Sequence, residues 1–306
     1  MTEVTVGAVL IAGPTASGKS ALAAALAARV NGVVINADSM QVYAEAPILT
    51  AAPDAAARQL APHLLYGHVS VRDAYSTGRY EIDAARALNK ARAMGRLPIF
   101  TGGTGLYFMA LTQGLSQMPK VPPSIREVAR ALAAEIGAHA LHERLAARDR
   151  QTAARLRPGD TQRVTRAWEV LEATGVPLSQ WQGRAGRAVL DGVTTAKFVL
   201  SPPREVLRAR IADRFAVMLE QGGLAEAAAL DGLDPALPAA RLLGLRPLQA
   251  LAAGRMDRQE ALARAVTDTR RFAKRQMTWF RQRMMEYQWL EPNESNIITL
   301  MRQIGM

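Results

Sequence analysis

The chain has no cysteine among its 306 residues. That excludes a disulfide framework and any thiolate metal site. No run of 18 uncharged apolar residues is present, so no transmembrane helix is expected. The opening Met1-Thr2-Glu3 lacks the basic stretch of a signal peptide. A soluble, cytoplasmic protein without a membrane partner is expected. Internal repeats and low-complexity tracts are absent apart from a general richness in alanine. Acidic residues are the scarcer charge, 27 against 38 lysines and arginines, which leaves a net charge of +11. Such an excess suggests a polyanionic partner, or else arginine-rich helix faces that only meet water. The excess is concentrated in residues 126–187, with 11 basic and 7 acidic residues, and in 255–306, with 10 and 6.

Within this composition one stretch stands out: Gly13-Pro14-Thr15-Ala16-Ser17-Gly18-Lys19-Ser20, which fits G-x-x-x-x-G-K-[ST]. The apolar run Val4 to Ile11 before it predicts a buried strand. Ala21 to Val30 after it predicts a helix. Strand, glycine loop and helix together make a phosphate cradle, with backbone N–H groups and the helix dipole facing the anion. Lys19 would reach the terminal phosphates, and the Ser20 hydroxyl would hold Mg2+.

The rest of the chain alternates strands and helices, which predicts an α/β fold: a P-loop NTPase-like, doubly wound parallel sheet. Gly32 to Asn36 is a second strand, ending at Asp38 and Ser39. Leu64 to Val71 is expected to add another. Glu81 to Met94 reads as a helix. Leu97 to Thr101 is a strand running into Gly102-Gly103-Thr104-Gly105, either a second ligand-facing turn or a tight connection. Pro119, Pro122 and Pro123 mark a linker. The following residues read as a helix over 124–157, then a helix over Thr161–Thr174, capped by Asp160 and stopped by Gly175. His139 and His142 could share a face but are too few for a metal. Arg163 and Arg166 lie side by side on the second of these helices and look unpaired. Phe198 to Leu200 returns to the sheet. The predicted division is a core of 1–117 and 193–306 with a helical insertion domain over 118–192. Further helices are expected over 204–221, 224–230 and 239–253. Asp257 to Tyr287 reads as one long helix whose cations interleave with Phe272, Trp279 and Phe280. That pairing suits nucleic-acid backbones and unstacked bases as well as core packing.

A phosphate loop by itself suggests a nucleotide or small-molecule kinase. Such enzymes want a strand ending in an acid to hold Mg2+, and the third strand ends in Thr101-Gly102-Gly103 instead. The strand-end carboxylate beside the loop is Asp38. One acid next to a phosphate chain fits a different reaction, in which diphosphate leaves from carbon while Asp38 takes a proton from the incoming nucleophile. A non-enzymatic RNA-binding protein with a vestigial loop is the third possibility.

Five segments taken together resemble the tRNA dimethylallyltransferase (tRNA isopentenyltransferase) family of bacterial type. They are the loop above, Asp38-Ser39-Met40-Gln41-Val42-Tyr43, Gly102-Gly103-Thr104-Gly105-Leu106-Tyr107, Asp160-Thr161-Gln162-Arg163 with Arg166, and Thr269 to Arg281. The resemblance covers nearly the whole chain. It implies transfer of a dimethylallyl group from its diphosphate to N6 of adenosine 37 in tRNA, with Mg2+, by a single chain acting alone. It further implies that Gly13, Pro14, Thr15, Ala16, Ser17, Gly18, Lys19, Ser20 and Arg214 hold the donor, and that Asp38 is the general base, with Lys19 and Thr104 also in the catalytic set. Asp38, Ser39, Met40 and Gln41 would meet the extruded base. Thr104, Arg126, Gln162, Arg163, Val164, Thr165, Arg166, Lys274, Arg275, Gln276, Trp279 and Arg281 would contact the tRNA. Two stretches depart from the family pattern: Ala44 to Pro53, where a usual lysine is Ala52, and Leu243-Gly244-Leu245-Arg246.

Overall fold

The computed structural model describes residues 6–183, 186–292 and 296–305. The chain forms two compact units, residues 1–112 with 189–306, and residues 113–188. The boundaries therefore fall a few residues before 118 and before 193.

The first unit runs β1 (Ala8–Ala12), α1 (Lys19–Arg29), β2 (Gly32–Asn36), α2 (Pro47–Thr50), α3 (Ala55–Leu60), β3 (His63–Leu64), α4 (Thr77–Ala93), β4 (Leu97–Gly102) and α5 (Gly105–Thr112). The second unit holds α6 (Pro123–Arg148), α7 (Arg150–Ala153), α8 (Thr161–Thr174) and α9 (Leu178–Gln182). The first unit then resumes with β5 (Thr195–Leu200), α10 (Arg204–Glu220), α11 (Gly223–Ala229), a 3-10 turn at Pro238–Arg241, α12 (Leu245–Ala252), α13 (Arg258–Arg283), β6 (Gln288–Leu290) and α14 (Asn296–Gln303).

Six strands form one parallel sheet in the order β3-β2-β4-β1-β5-β6. Strand alternation sends neighbouring residues to opposite faces. Leu10, Val33, Ile35, Phe100 and Val199 pack under α4, α5, α11, α12 and Phe280 of α13. Val9, Ile11, Val34, Ile99 and Phe198 pack under α1 and α14. Both faces are covered, which is why these strands read as continuous apolar runs. A separate cluster joins α10, through Leu207, Ile211, Phe215 and Met218, to Ala265 and Ala273 of α13.

Several boundaries differ from expectation. The strand expected over 64–71 is cut to two residues because Leu65 and Gly67 both adopt positive φ, 63° and 56°. A lone bridge between Tyr43 and Val69 is what remains of it. Helix α4 starts a turn early, where the Ser76 hydroxyl accepts from Arg79 N. The long helix over 124–157 is broken at Gly137, with φ 79° and ψ 164°, and ended by Asp149, whose carboxylate caps α7. The helix over 239–253 is a 3-10 turn and α12, separated by Gly244 at φ 81°. Helix α13 stops at Arg283, and β6 follows it. Asp160 and Gly175 bound α8 as expected.

Candidate active site

The phosphate loop leaves the C-terminal end of β1, at the centre of the sheet, and enters α1 at Lys19. Ala16 and Gly18 turn it with φ of 62° and 88°. Gly13 serves a different need, space: a Cβ there would lie 2.7 Å from Ser17 Oγ and 3.3 Å from Leu200 Cβ. Lys19 is buried, and its Nζ donates to Pro14 O at 3.2 Å. Burial lowers its pKa from 10.5 to about 8; Asp38 pulls it back up, and Arg214 pushes it further down. Thr15 is held at both polar groups. Its N–H donates to Gln276 Oε1 at 2.9 Å, and its hydroxyl accepts from Arg214 Nη1 at 2.7 Å. Arg214 also donates to Leu49 O at 3.4 Å, while Arg210 donates to Ser17 O at 3.4 Å. Burial lowers the Arg214 pKa, and Asp38 opposes the shift.

Asp38 follows β2, where Asn36 clamps its backbone. Asn36 Oδ1 accepts from Asp38 N at 2.8 Å, and Asn36 Nδ2 donates to Asp38 O at 2.9 Å. Asp38 Oδ1 accepts from Met40 N at 3.0 Å, whereas Oδ2 has no hydrogen bond among the described residues. Thr104 Oγ1 accepts from Ser39 N at 2.9 Å and donates to Ser39 Oγ at 3.1 Å. The glycines after β4 exist for close approach. A Cβ on Gly102 would sit 2.0 Å from Ala37 O, one on Gly103 2.2 Å from Gln276 Nε2, and one on Gly105 2.2 Å from the Trp279 ring. The turn is therefore a packed seam that supports the Asp38 loop. Burial keeps the hydroxyls of Tyr66 and Tyr107 protonated well above neutral pH.

Thr15, Lys19, Asp38 and Arg214 line one small cavity of about 40 Å³. Its polar lining is Thr15, Lys19, Asp38, Gln41, Thr50 and Arg214, and its apolar lining is Met40, Leu49, Leu242, Leu243 and Phe272.

Residues 41–283 match the family model described as IPP transferase. The chain belongs to the IPP transferase family. It is 52% identical over 284 residues to the tRNA dimethylallyltransferase of Azorhizobium caulinodans, covering 92% of this chain and 90% of the relative. It is 52% identical over 291 residues to that of Methylobacterium nodulans, covering 94% and 96%. Among solved structures it resembles the full-length tRNA isopentenylpyrophosphate transferase of Bacillus halodurans, with a TM-score of 0.67 at 30% identity over 97% of this chain and 95% of that one. It also resembles a eukaryotic dimethylallyltransferase acting on tRNA, with a TM-score of 0.76 at 26% identity over 94% and 74%.

Both departures from the family pattern lie at this cavity. Ile48 N and Leu49 N donate to the Glu226 carboxylate at 2.9 and 2.7 Å, and Gln41 Nε2 donates to Thr50 O and Ala51 O, so the loop around Ala52 is tied down. Leu243 is a wall residue, and Gly244 passes the Phe215 ring, which a Cβ would approach to 2.6 Å. The apolar wall was not foreseen from sequence. Its five residues come from four separate segments and share no spacing, so only the fold assembles them.

Several expected tRNA contacts need correction. Val164 is fully buried and Thr165 nearly so, both turned into the second unit, so their side chains are not a surface for RNA. Gln162 and Arg163 are exposed on α8, Arg166 half-buried and Arg126 exposed on α6. Arg163 and Arg166 are not an unpaired couple: Arg163 pairs with Asp160 at 3.5 Å and Arg166 with Glu169 at 3.1 Å. Lys274, Arg275 and Arg281 are exposed on α13. Gln276 is buried and hydrogen-bonded within the chain, and Trp279 lays its ring on Gly105 and against Phe280. His142 is bonded to Ala153 O at 2.9 Å, and no metal-binding cluster of histidine, cysteine or acid occurs among the described residues.

Proposed function

We infer that this chain transfers a dimethylallyl group from dimethylallyl diphosphate to N6 of adenosine 37, beside the anticodon of tRNA, and releases diphosphate. The observation that carries the reading is that Thr15, Lys19 and Arg214 line one cavity together with Asp38 and the apolar side chains Met40, Leu49, Leu242, Leu243 and Phe272. The cationic end receives the diphosphate, with Lys19 exchanging Pro14 O for a phosphate oxygen. Met40, Leu49 and Phe272 receive the five-carbon chain. N6 attacks C1 of the donor, the C1–O bond breaks, and its electron pair leaves with the diphosphate. Lys19 and Arg214 stabilise that charge. The proton lost by the amino group goes to Asp38 Oδ2. Kinase chemistry is not favoured: β4 ends without an acid, and the similar proteins are named for transfer of a dimethylallyl or isopentenyl group, not a phosphoryl group.

Mg2+ would be held at the loop by the Ser20 hydroxyl, an oxygen donor of the kind a hard cation takes. A small hard cation typically binds through one or two protein oxygens plus substrate phosphate and water. It would add positive charge to the leaving group. The exposed Arg126, Gln162 and Arg163 and the half-buried Arg166 of the second unit, and Lys274, Arg275 and Arg281 of α13, are the groups suited to tRNA phosphates and the anticodon loop. No helix of the described residues is long and apolar enough to cross a membrane. A tRNA substrate fits a cytoplasmic enzyme, and the lining of the cavity from a single chain fits a monomer.

The test is incubation with Mg2+, dimethylallyl diphosphate and an unmodified tRNA carrying adenosines at 36 to 38, followed by mass analysis of the nucleosides. A prenyl increment on adenosine 37 is expected. ATP hydrolysis without that increment would overturn the reading in favour of a kinase.

A further inference from the structure

Gln276 sits on the helix with the exposed cations Lys274 and Arg275, yet its amide is committed inside the protein. Oε1 accepts from Thr15 N and Nε2 donates to Gly103 O, each at 2.9 Å, and the residue is 7% exposed. The contact is close enough that a Cβ at Gly103 would lie 2.2 Å from Nε2 and 3.0 Å from Asp38 Oδ2. Thr15 belongs to the loop that faces the donor. Gly103 precedes Thr104, whose hydroxyl holds Ser39, the residue after Asp38. One side chain thus bridges the phosphate loop to the turn that supports the acceptor side.

We propose that Gln276 is a positioning residue for the transfer step, setting the spacing between the diphosphate loop and Asp38, and that it does not read the tRNA. The inference rests on the transferase reading above. Displacement at carbon needs the nucleophile and the leaving group on opposite sides of C1, and a misplacement of about 1 Å costs up to ~100-fold in rate. Without Gln276, Thr15 N–H and Gly103 C=O lose their buried partner, and each would shift to find another. Arg214 still holds the Thr15 hydroxyl, so the loop stays folded but loses its tie to the Asp38 side.

The experiment compares wild type, Gln276→Met, Gln276→Glu and Lys274→Ala. Methionine keeps the length and removes both hydrogen bonds. Glutamate keeps an acceptor for Thr15 N–H and removes the donor to Gly103 O. Single-turnover rate at saturating substrates, tRNA affinity with its salt slope, and melting temperature are measured for each. For Gln276→Met the single-turnover rate should fall by about 10-fold or more, with tRNA affinity within about two-fold of wild type and an unchanged salt slope. Gln276→Glu should also be slowed without a change in slope, which keeps the test decisive if the methionine variant fails to fold. Lys274→Ala should weaken tRNA binding and lower its salt slope by about one, which is the signature of a tRNA contact that the Gln276 variants should not show. A merely structural role would lower the melting temperature but leave the rate of the folded fraction unchanged, and that outcome overturns the proposal. A reduced salt slope in the folded Gln276 variants would overturn it in favour of a tRNA contact. A wild type that forms no prenyl adenosine overturns the transferase reading and this inference together. An active wild type with unaffected variants overturns this inference alone.

Discussion

Binding of the donor should carry a proton onto Lys19. The unliganded site holds that ammonium in a buried position with a carbonyl as its hydrogen-bond partner, and burial brings its pKa from 10.5 to about 8. A bound diphosphate would raise it again, because opposite charge at contact distance favours the protonated form. Proton uptake then equals the neutral fraction of the free protein: about 0.1 per site at pH 7, about 0.5 at pH 8 and about 0.9 at pH 9. The ligand contributes little in the upper part of this range, since the last proton of a phosphate ester leaves near pH 6. Titration calorimetry with dimethylallyl diphosphate, without Mg2+ or tRNA, in two buffers of different ionisation enthalpy, reads the uptake directly. Lys19→Met should abolish it. An uptake that stays flat from pH 7 to pH 9, or that persists in Lys19→Met, would refute the reasoning. The same shift affects stability. The folded pKa lies below the unfolded one, so the unfolded chain binds more protons between pH 8 and 10.5. Lys19 therefore adds stability as pH rises through that window, by about 3 kcal/mol in all, and contributes no slope below it.

Replacing Asp38 with alanine should slow single-turnover transfer by about 100-fold while tRNA affinity stays near normal, as for loss of a general base; an unchanged rate would remove that role. Lys274→Ala should reduce the salt slope of tRNA binding by about one, read from affinities at several salt concentrations. Gly102→Ala would drive a Cβ to 2.0 Å from Ala37 O, so β2 and β4 must separate at their ends. A cost of about 3 kcal/mol is expected, seen as a melting temperature lower by about 6 °C or more; no change would mean that the spacing of these strands is not what requires glycine.

The phosphate loop, Asp38 at a strand end and the capped helix α8 were all legible in the chain. Each rests on local chemistry: a glycine that must adopt φ 88°, an apolar run long enough for a buried strand, an aspartate that caps three residues ahead. The elements that were misread are those decided by distant partners. Strand β6 is three residues long and exists because β5 offers an edge. The break at Gly137 lies within a stretch whose composition is helical on both sides.

The site divides in the same way. Sequence alone determined the glycine loop between β1 and α1, the acid that follows β2 and the family, because each motif is a short run of adjacent residues. Tertiary structure decided what lies around them. It brought Leu242, Leu243 and Phe272 to a cavity that begins at Thr15 and Asp38. It turned Val164 inward and Arg163 outward on one helix, and it set Gln276 between Thr15 and Gly103, 261 residues from the first. Contacts of that separation leave no local period or spacing in the chain, since they are selected only by how helices pack on the finished sheet.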